Sequence, residues 1–436
     1  MTEPAPRPPQ DPTARTWLQA RDCEAPISSN VGAGDLPFQR WFRFKEAYSP
    51  ALVAQTIATC DYPVRHILDP FGGSGTTALT ARMEGLDSTS IEVNPFLADL
   101  IRAKVTPVSA TSFAETCRRI VEQTNVLEND YNIIDAAPAT LVEPGVNNRY
   151  IYARETYGAL RALNRHIAQL EVNESRLARV LLGSILVDCS NAIVNGKGRR
   201  YRRNWQARSV TRADVFERFD AAVTRAVEDL KGFARTPPSE HCVFNDDARK
   251  RLELLAAADL AVFSPPYLNS FDYTDVYNLE LWMLDYLRSG ADNKRLRART
   301  LRSHVQIRWP SDKTAPATPK LLATKTALDE RREALWNRNI PDMVVGYFTD
   351  LQDVLVSLSR ILPERAYVVA AIGDSQYGGV RIDTAGILTE IAKKCGYEVE
   401  TASKIRSLRA SAQHGGRFDL AETVVRLRNC ETKGTG

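Results

Sequence analysis

A chain of 436 residues, 44% of them hydrophobic and 25% charged, has room for two domains or for one α/β domain with a large insertion. It is composed like an ordinary globular protein, which excludes a fibrous or wholly disordered chain. Its net charge of +4 is too small to hold nucleic acid by bulk attraction, so any such affinity has to come from local clusters of arginine.

Residues 1–30 read as a flexible tail, because the stretch from Met1 to Pro26 is rich in proline and polar residues and lacks the apolar segment of a signal peptide. No run approaches the ~18 to 20 apolar residues that cross a bilayer. Seven cysteines, Cys23, Cys60, Cys117, Cys189, Cys242, Cys395 and Cys430, stand far apart with no C-x-x-C pair. That spacing argues against zinc and against a disulfide framework, so no metal is expected, and the reducing cytoplasm is the expected compartment.

From Phe38 aromatic and basic residues alternate, and a helix is predicted from Ser49-Pro50, where serine can cap and proline suits the first turn. A strand at His66-Ile67-Leu68 leads into Asp69-Pro70-Phe71-Gly72-Gly73-Ser74-Gly75-Thr76-Thr77, and a helix is predicted over Ala78–Met83. Asp87–Val93 reads as a second strand with Glu92 near its end, and Pro95–Lys104 as a second helix. This is a βαβα unit of the parallel-sheet type. Residues 106–240 then form an inserted, mainly helical region, with apolar residues at helical spacing over Arg176–Ala192 and Phe216–Phe233. Sheet building resumes at Cys242–Phe244, followed by Asn245-Asp246-Asp247, and at Leu260–Phe263, which runs into Ser264-Pro265-Pro266-Tyr267. Residues 294–340 read as a second, basic and irregular insertion. A helix over Val345–Leu362, a strand at Tyr367–Ile372, a helix at Thr384–Lys394 and a strand at Thr423–Leu427 complete an α/β core assigned to residues 31–105 and 241–430.

A glycine-rich turn between a strand and a helix lets backbone N–H groups and the helix N-terminus approach a ligand closely. Gly73-Ser74-Gly75-Thr76-Thr77-Ala78 also satisfies G-x-G-x-x-A, and Glu92 stands near the place of a ribose-binding acid. By itself the loop does not separate a nicotinamide cofactor from S-adenosylmethionine.

Ser264-Pro265-Pro266-Tyr267 ends a strand, where open α/β sheets hold their ligands. An exocyclic amine on a nucleic-acid base is a poor nucleophile because its lone pair is delocalised into the ring. A catalyst therefore needs acceptors for both amino hydrogens, and the Ser264 hydroxyl and the Pro265 carbonyl supply two on a turn stiffened by Pro265 and Pro266. Tyr267 offers a ring on which an extruded base can stack. The plain alternative is a Pro-Pro turn beside an aromatic residue, as at many strand ends.

Together the two motifs resemble the DNA amino-methyltransferase family, whose cofactor loop reads like Asp69 to Thr76 and whose catalytic loop reads like Ser264 to Tyr267. Asp272-Tyr273, Tyr277 to Trp282, Ile372-Gly373-Asp374-Ser375 and Glu422-Thr423-Val424-Val425 resemble later segments of the same family. The resemblance implies a Rossmann-like sheet of seven strands and S-adenosylmethionine as cofactor. Asp69, Phe71, Gly73 and Gly75 would shape the methionine end of its site, Glu92 would hold the ribose, and Asp246 or Asp247 would meet the adenine amine. Tyr48-Ser49-Pro50 resembles the element that closes over the cofactor, and reads equally as a capped helix.

In this family a serine at the first catalytic position goes with cytosine and an aspartate with adenine, so Ser264 implies cytosine-N4 methylation of double-stranded DNA, with adenine-N6 the alternative. A base amine in tRNA or rRNA is another alternative. A separate cognate restriction enzyme is a partner that the resemblance allows. For DNA contact the candidates are Lys197, Arg199, Arg200, Tyr201, Arg202 and Arg203 in the first insertion, with the arginine-rich run from Lys294 to Arg308 as a second segment. Both suit phosphates or guanine edges, and both read alternatively as solvated surface runs.

Overall fold

The computed structural model describes residues 34–126, 133–134, 136–195, 198–234, 236–269, 272–307, 315–408 and 419–430. The tail at 1–30 lies outside them, as do Lys197 and Arg308. After a single 3-10 turn the chain forms α1 (Pro50–Ala58), β1 (His66–Asp69), α2 (Thr76–Glu84), β2 (Asp87–Ile91) and α3 (Pro95–Val105). The predicted starts hold because the caps are chemically suited to them: Ser49 Oγ accepts from the Ala51 N–H, and Asn94 Oδ1 from Phe96 and Leu97. Each helix then has proline in its first turn, where the missing N–H has no partner to lose.

The first insertion is helical, with α4 (Ala110–Val126), α5 (Arg154–Ile167), α6 (Val172–Cys189) and α7 (Arg212–Gly232). Between the last two stands a hairpin of β3 (Ala192–Asn195) and β4 (Gly198–Tyr201), where the helix expected to reach Ala192 has already ended. Four-residue strands are too short to show a period of two against a helical background. The insertion buries its apolar face against the sheet's own helix layer: Phe96, Leu97 and Leu100 of α3 share one core with Leu177 and Leu181 of α6 and Phe216 and Phe219 of α7.

The sheet continues with β5 (His241–Phe244), a short α8 (Ala248–Arg251) and β6 (Leu260–Phe263). The region read as irregular holds real helices. After α9 (Tyr273–Val276) and α10 (Asn278–Met283) come α11 (Gly290–Ala298) and α12 (Pro319–Asp329), followed by α13 (Ile340–Ile361). The chain closes with β7 (Tyr367–Gly373), a small hairpin of β8 (Ser375–Tyr377) and β9 (Val380–Ile382), α14 (Thr384–Lys394), β10 (Tyr397–Leu408) and β11 (Leu420–Asn429).

Seven strands form the main sheet in the order β10-β11-β7-β6-β1-β2-β5. β5, β2, β1, β6 and β7 run parallel, and β11 is antiparallel to both β7 and β10. Alternate residues serve opposite faces, as the strand period requires. Ile67, Val262 and Val369 pack with Leu52, Val53 and Ile57 of α1, while Leu68, Phe263 and Val368 join the core of α13 and α14. Covering both faces makes the strands near-continuous apolar runs, the form parallel sheets take. The architecture is the Rossmann-like, seven-stranded α/β sheet expected from the sequence. Among the described residues no helix is long and apolar enough to cross a membrane.

Candidate active site

Because β1, β2, β5 and β6 are parallel, the residues that follow them emerge on one edge of the sheet. Those are the glycine loop after β1, Glu92 after β2, Asp246 and Asp247 after β5, and Ser264 to Tyr267 after β6. Strand order reverses between β1 and β6, which opens the crevice where such sheets bind ligands. One cleft, about 1330 Å³ including its open mouth, is lined by Phe71, Gly73, Glu92, Asp246, Asp247 and all four residues from Ser264 to Tyr267.

The glycine loop is fixed from below. Asp69 is fully buried, with Oδ1 accepting from the Phe71 N–H at 2.9 Å and Oδ2 from the Tyr48 hydroxyl at 2.9 Å. Burial pushes its carboxyl up to about 6. Tyr48 also hydrogen-bonds Thr77 of α2, so one phenol ties the chain before α1 to both ends of the loop. Gly73 and Gly75 have φ of 51° and 81°, left-handed values that favour glycine. Lys104, buried at the end of α3, donates to the Ser74 carbonyl at 2.6 Å and to Gln39 Oε1 at 2.8 Å, and burial lowers its amine to about 7. Asp69 and Gly75 do not line the cleft; they shape the loop that does.

Glu92 meets the loop directly. Its Oε2 accepts from the Gly73 N–H and its Oε1 from the Asn94 N–H, both at 2.8 Å. Burial raises its carboxyl to about 7 against these two bonds, which favour the ionised form. Each oxygen keeps a further lone pair. Ser74 lines the same wall, and its buried Oγ has no hydrogen-bond partner among the described residues.

The two acids after β5 separate clearly. Asp247 is buried and held by Arg249, Nε to Oδ1 at 2.9 Å and Nη2 to Oδ2 at 2.7 Å. Asp246 is far more open and accepts from Arg299 and from the Asp247 N–H through Oδ1, which leaves Oδ2 the oxygen with capacity to spare. Ser49 and Pro50 lie outside the cleft wall, where they start α1, while the residues just before them, Phe44 to Tyr48, form part of the wall.

In the turn after β6, the Ser264 hydroxyl donates to the Ala371 carbonyl of β7 at 2.8 Å. With its one proton committed there, the oxygen is left as an acceptor. The Tyr267 hydroxyl donates to Glu422 Oε1 at 2.6 Å, and burial together with that carboxylate holds the phenol protonated well above its ordinary range.

The basic segments fare differently. Arg200 and Arg203 are exposed. Arg202 is engaged at the end of α6, donating to the carbonyls of Val187 and Ser190 and pairing with Asp188. Arg199 is half-buried and faces Asp275 and Glu280, whose carboxyls it pulls down against burial; Glu280 stays at about 7. The Tyr201 ring lies 5.1 Å from that of Trp205. β4 packs against α9, whose Tyr273 and Thr274 line the cleft. In the second run Arg295 pairs with Asp292, Arg297 with Asp272 and Asp275, Arg299 with Asp246, and Arg302 with Asp350. That run is largely an internal brace.

Arg299, His304, Arg406 and Glu422 also line the cleft, although the sequence assigned none of them to the cofactor or catalytic site. Only Glu422 carried a local signal, an acid within the apolar strand Leu-Ala-Glu-Thr-Val-Val. The others arrive through tertiary contacts.

No family model matches the chain. It is 25% identical over 399 residues to the Type II methyltransferase M.AvaI of Nostoc sp. (strain PCC 7120 / SAG 25.82 / UTEX 2576), covering 84% of this chain and 80% of that relative. The figures are the same for the M.AvaI protein of Anabaena variabilis. The Type II methyltransferase M.BsoBI of Geobacillus stearothermophilus is 25% identical over 414 residues, covering 82% of this chain and 78% of the relative. Among solved structures, the rRNA methyltransferase aviRa of Streptomyces viridochromogenes aligns over 94% of this chain and 92% of its own, with a TM-score of 0.30 and 11% identity.

Proposed function

We propose that this chain, which resembles the DNA amino-methyltransferase family and is similar to Type II methyltransferases, transfers a methyl group from S-adenosylmethionine to the exocyclic amine of cytosine in double-stranded DNA. The observation that carries the reading is the state of Ser264: its proton is given to Ala371, and the residue lines a cleft shared with the glycine loop and Glu92.

The cleft suits the cofactor's parts. The free lone pairs of Glu92 can accept from ribose hydroxyls, Asp246 Oδ2 from the adenine amine, and the loop around Gly73 with Phe71 borders the methionine end. The unpartnered Ser74 hydroxyl adds a polar contact on the same wall. Asp69 and Gly75 support this arrangement from behind. Bound there, the cofactor supplies an electrophilic methyl group on a sulfonium.

The chain's own work is to present the amine. Ser264 Oγ and the Pro265 carbonyl accept the two amino hydrogens, which turns the nitrogen lone pair out of the base plane and toward the methyl group. Tyr267 stacks on the base once it has left the duplex. Once methylated the nitrogen is strongly acidic, and its surplus proton leaves to water or to a neighbouring acceptor, so no covalent nucleophile is needed. For the DNA itself, the exposed Arg200 and Arg203 are the phosphate contacts, with Tyr201, Arg199 and Arg202 shaping the hairpin and the segment that follows it.

Tyr267→Ala tests the arrangement. Stacking is worth roughly 1 to 3 kcal/mol per base, so turnover on DNA should fall by about one to two decades while calorimetric affinity for S-adenosylmethionine stays near wild type. Unchanged turnover would remove Tyr267 from the reaction.

A further inference from the structure

Glu422 is a carboxylate in a place that costs the fold something. It sits on β11 between Ala421 and Thr423, is 1% exposed, and yet lines the cleft. Buried carboxylates persist when they are paired and hydrogen-bonded, and this one is: Arg406 donates to both of its oxygens, through Nη2 to Oε1 at 3.1 Å and through Nε to Oε2. Topology explains the meeting. β11 is antiparallel to β7, so Glu422 near its start pairs with Gly373 at the end of β7, on the edge where β6 delivers Tyr267. On its other side Glu422 pairs in register with Arg406 of β10. The remaining acceptor capacity of Oε1 goes to the Tyr267 hydroxyl at 2.6 Å.

Stacking needs only the face of an aromatic ring, which phenylalanine would supply equally well. A hydroxyl adds something different, a second point of attachment. The ring of Tyr267 is held at its Cα by the Pro265-Pro266 turn and at its far end by Glu422, which keeps the ring's long axis from swinging about the Cα–Cβ bond. Arg406, one strand further out, holds the carboxylate in place.

Resting on the reading above, we infer that Glu422, braced by Arg406, is a positioning residue that fixes where the Tyr267 ring lies against the target base. A ring misplaced by about 1 Å can cost on the order of 100-fold in rate. The clamp acts on the base and not on the cofactor, so its loss should appear in turnover alone.

The test compares full-length wild type, Glu422→Ala, Glu422→Gln, Tyr267→Phe and the Glu422→Ala/Tyr267→Phe double variant. Each is assayed for methyl transfer to DNA and for calorimetric affinity for S-adenosylmethionine. Glu422→Ala should lower kcat by about 10- to 100-fold with cofactor affinity unchanged. Glu422→Gln, whose amide oxygen still accepts from the phenol, should recover most of that loss. Tyr267→Phe should match Glu422→Ala, and the double variant should be no worse than either. The inference is overturned if Glu422→Ala keeps wild-type kcat, if Glu422→Gln is as poor as Glu422→Ala, or if the losses multiply in the double variant. Should cofactor affinity fall together with kcat, Glu422 is a general support of the sheet and the inference is again overturned. Wild-type protein that transfers no methyl group to DNA would instead sink the functional reading, and this inference with it.

Discussion

Glu92 carries its chemistry in a single side chain. Before any ligand binds, burial lifts its carboxyl to about 7, and the N–H groups of Gly73 and Asn94 only partly offset that. Ribose hydroxyls that donate to the carboxylate stabilise its ionised form, so binding lowers the raised value and releases a proton wherever the free protein is still protonated. The sign follows directly: affinity for S-adenosylmethionine should climb as pH rises toward about 7 and level off above it. Calorimetry across this range should show the climb in wild type. In Glu92→Ala it should show no such slope and an affinity lower by roughly 1.5 to 3 kcal/mol, about one to two decades. A flat wild-type profile with unchanged affinity in the variant would take Glu92 out of the site. The sequence already indicated this residue, because an acid soon after a glycine loop has few other uses. It left Asp246 and Asp247 unresolved, since the residues alone do not show that the Arg249 side chain turns back onto the second of them.

At the scale of elements, legibility followed length and burial. α14 and β6 keep the boundaries read from their residues, and α1 and α3 differ by a residue or so, because apolar periodicity and caps coincide there. β10 was missed because Tyr397–Leu408 is largely polar and exposed, as an edge strand may be without loss. The β3–β4 hairpin was hidden by its shortness, although its cations were noticed. Structure divides those cations: Arg202 is engaged at the end of α6, while Arg200 and Arg203 are exposed. Each phosphate contact contributes roughly 0.9 to the slope of log K against log salt. Replacing Arg200 and Arg203 together should therefore flatten that slope by about 2 in DNA-binding titrations. An unaltered slope and affinity would make the hairpin a solvated face and move DNA contact elsewhere.

For the molecule as a whole, one topological fact unites motifs that lie far apart in the chain. Parallel strands deliver the glycine loop, Glu92, Asp246 and Ser264 to a single edge, and antiparallel β11 brings Glu422 to the same place. The parallel core was readable from alternating strands and helices; the pairing across β11 was not, because register is a long-range property. The central claim is that this edge directs a methyl group onto the amine of a cytosine in DNA, and the measurement that tests it most directly is the identity of the methylated nucleoside. Duplex DNA is incubated with the protein and methyl-labelled S-adenosylmethionine, digested to nucleosides and separated. The account predicts label in N4-methylated cytosine. Label only in N6-methylated adenine would contradict the base assignment while keeping the chemistry, and label on the ring carbon of cytosine would contradict the mechanism, because that reaction needs a covalent nucleophile.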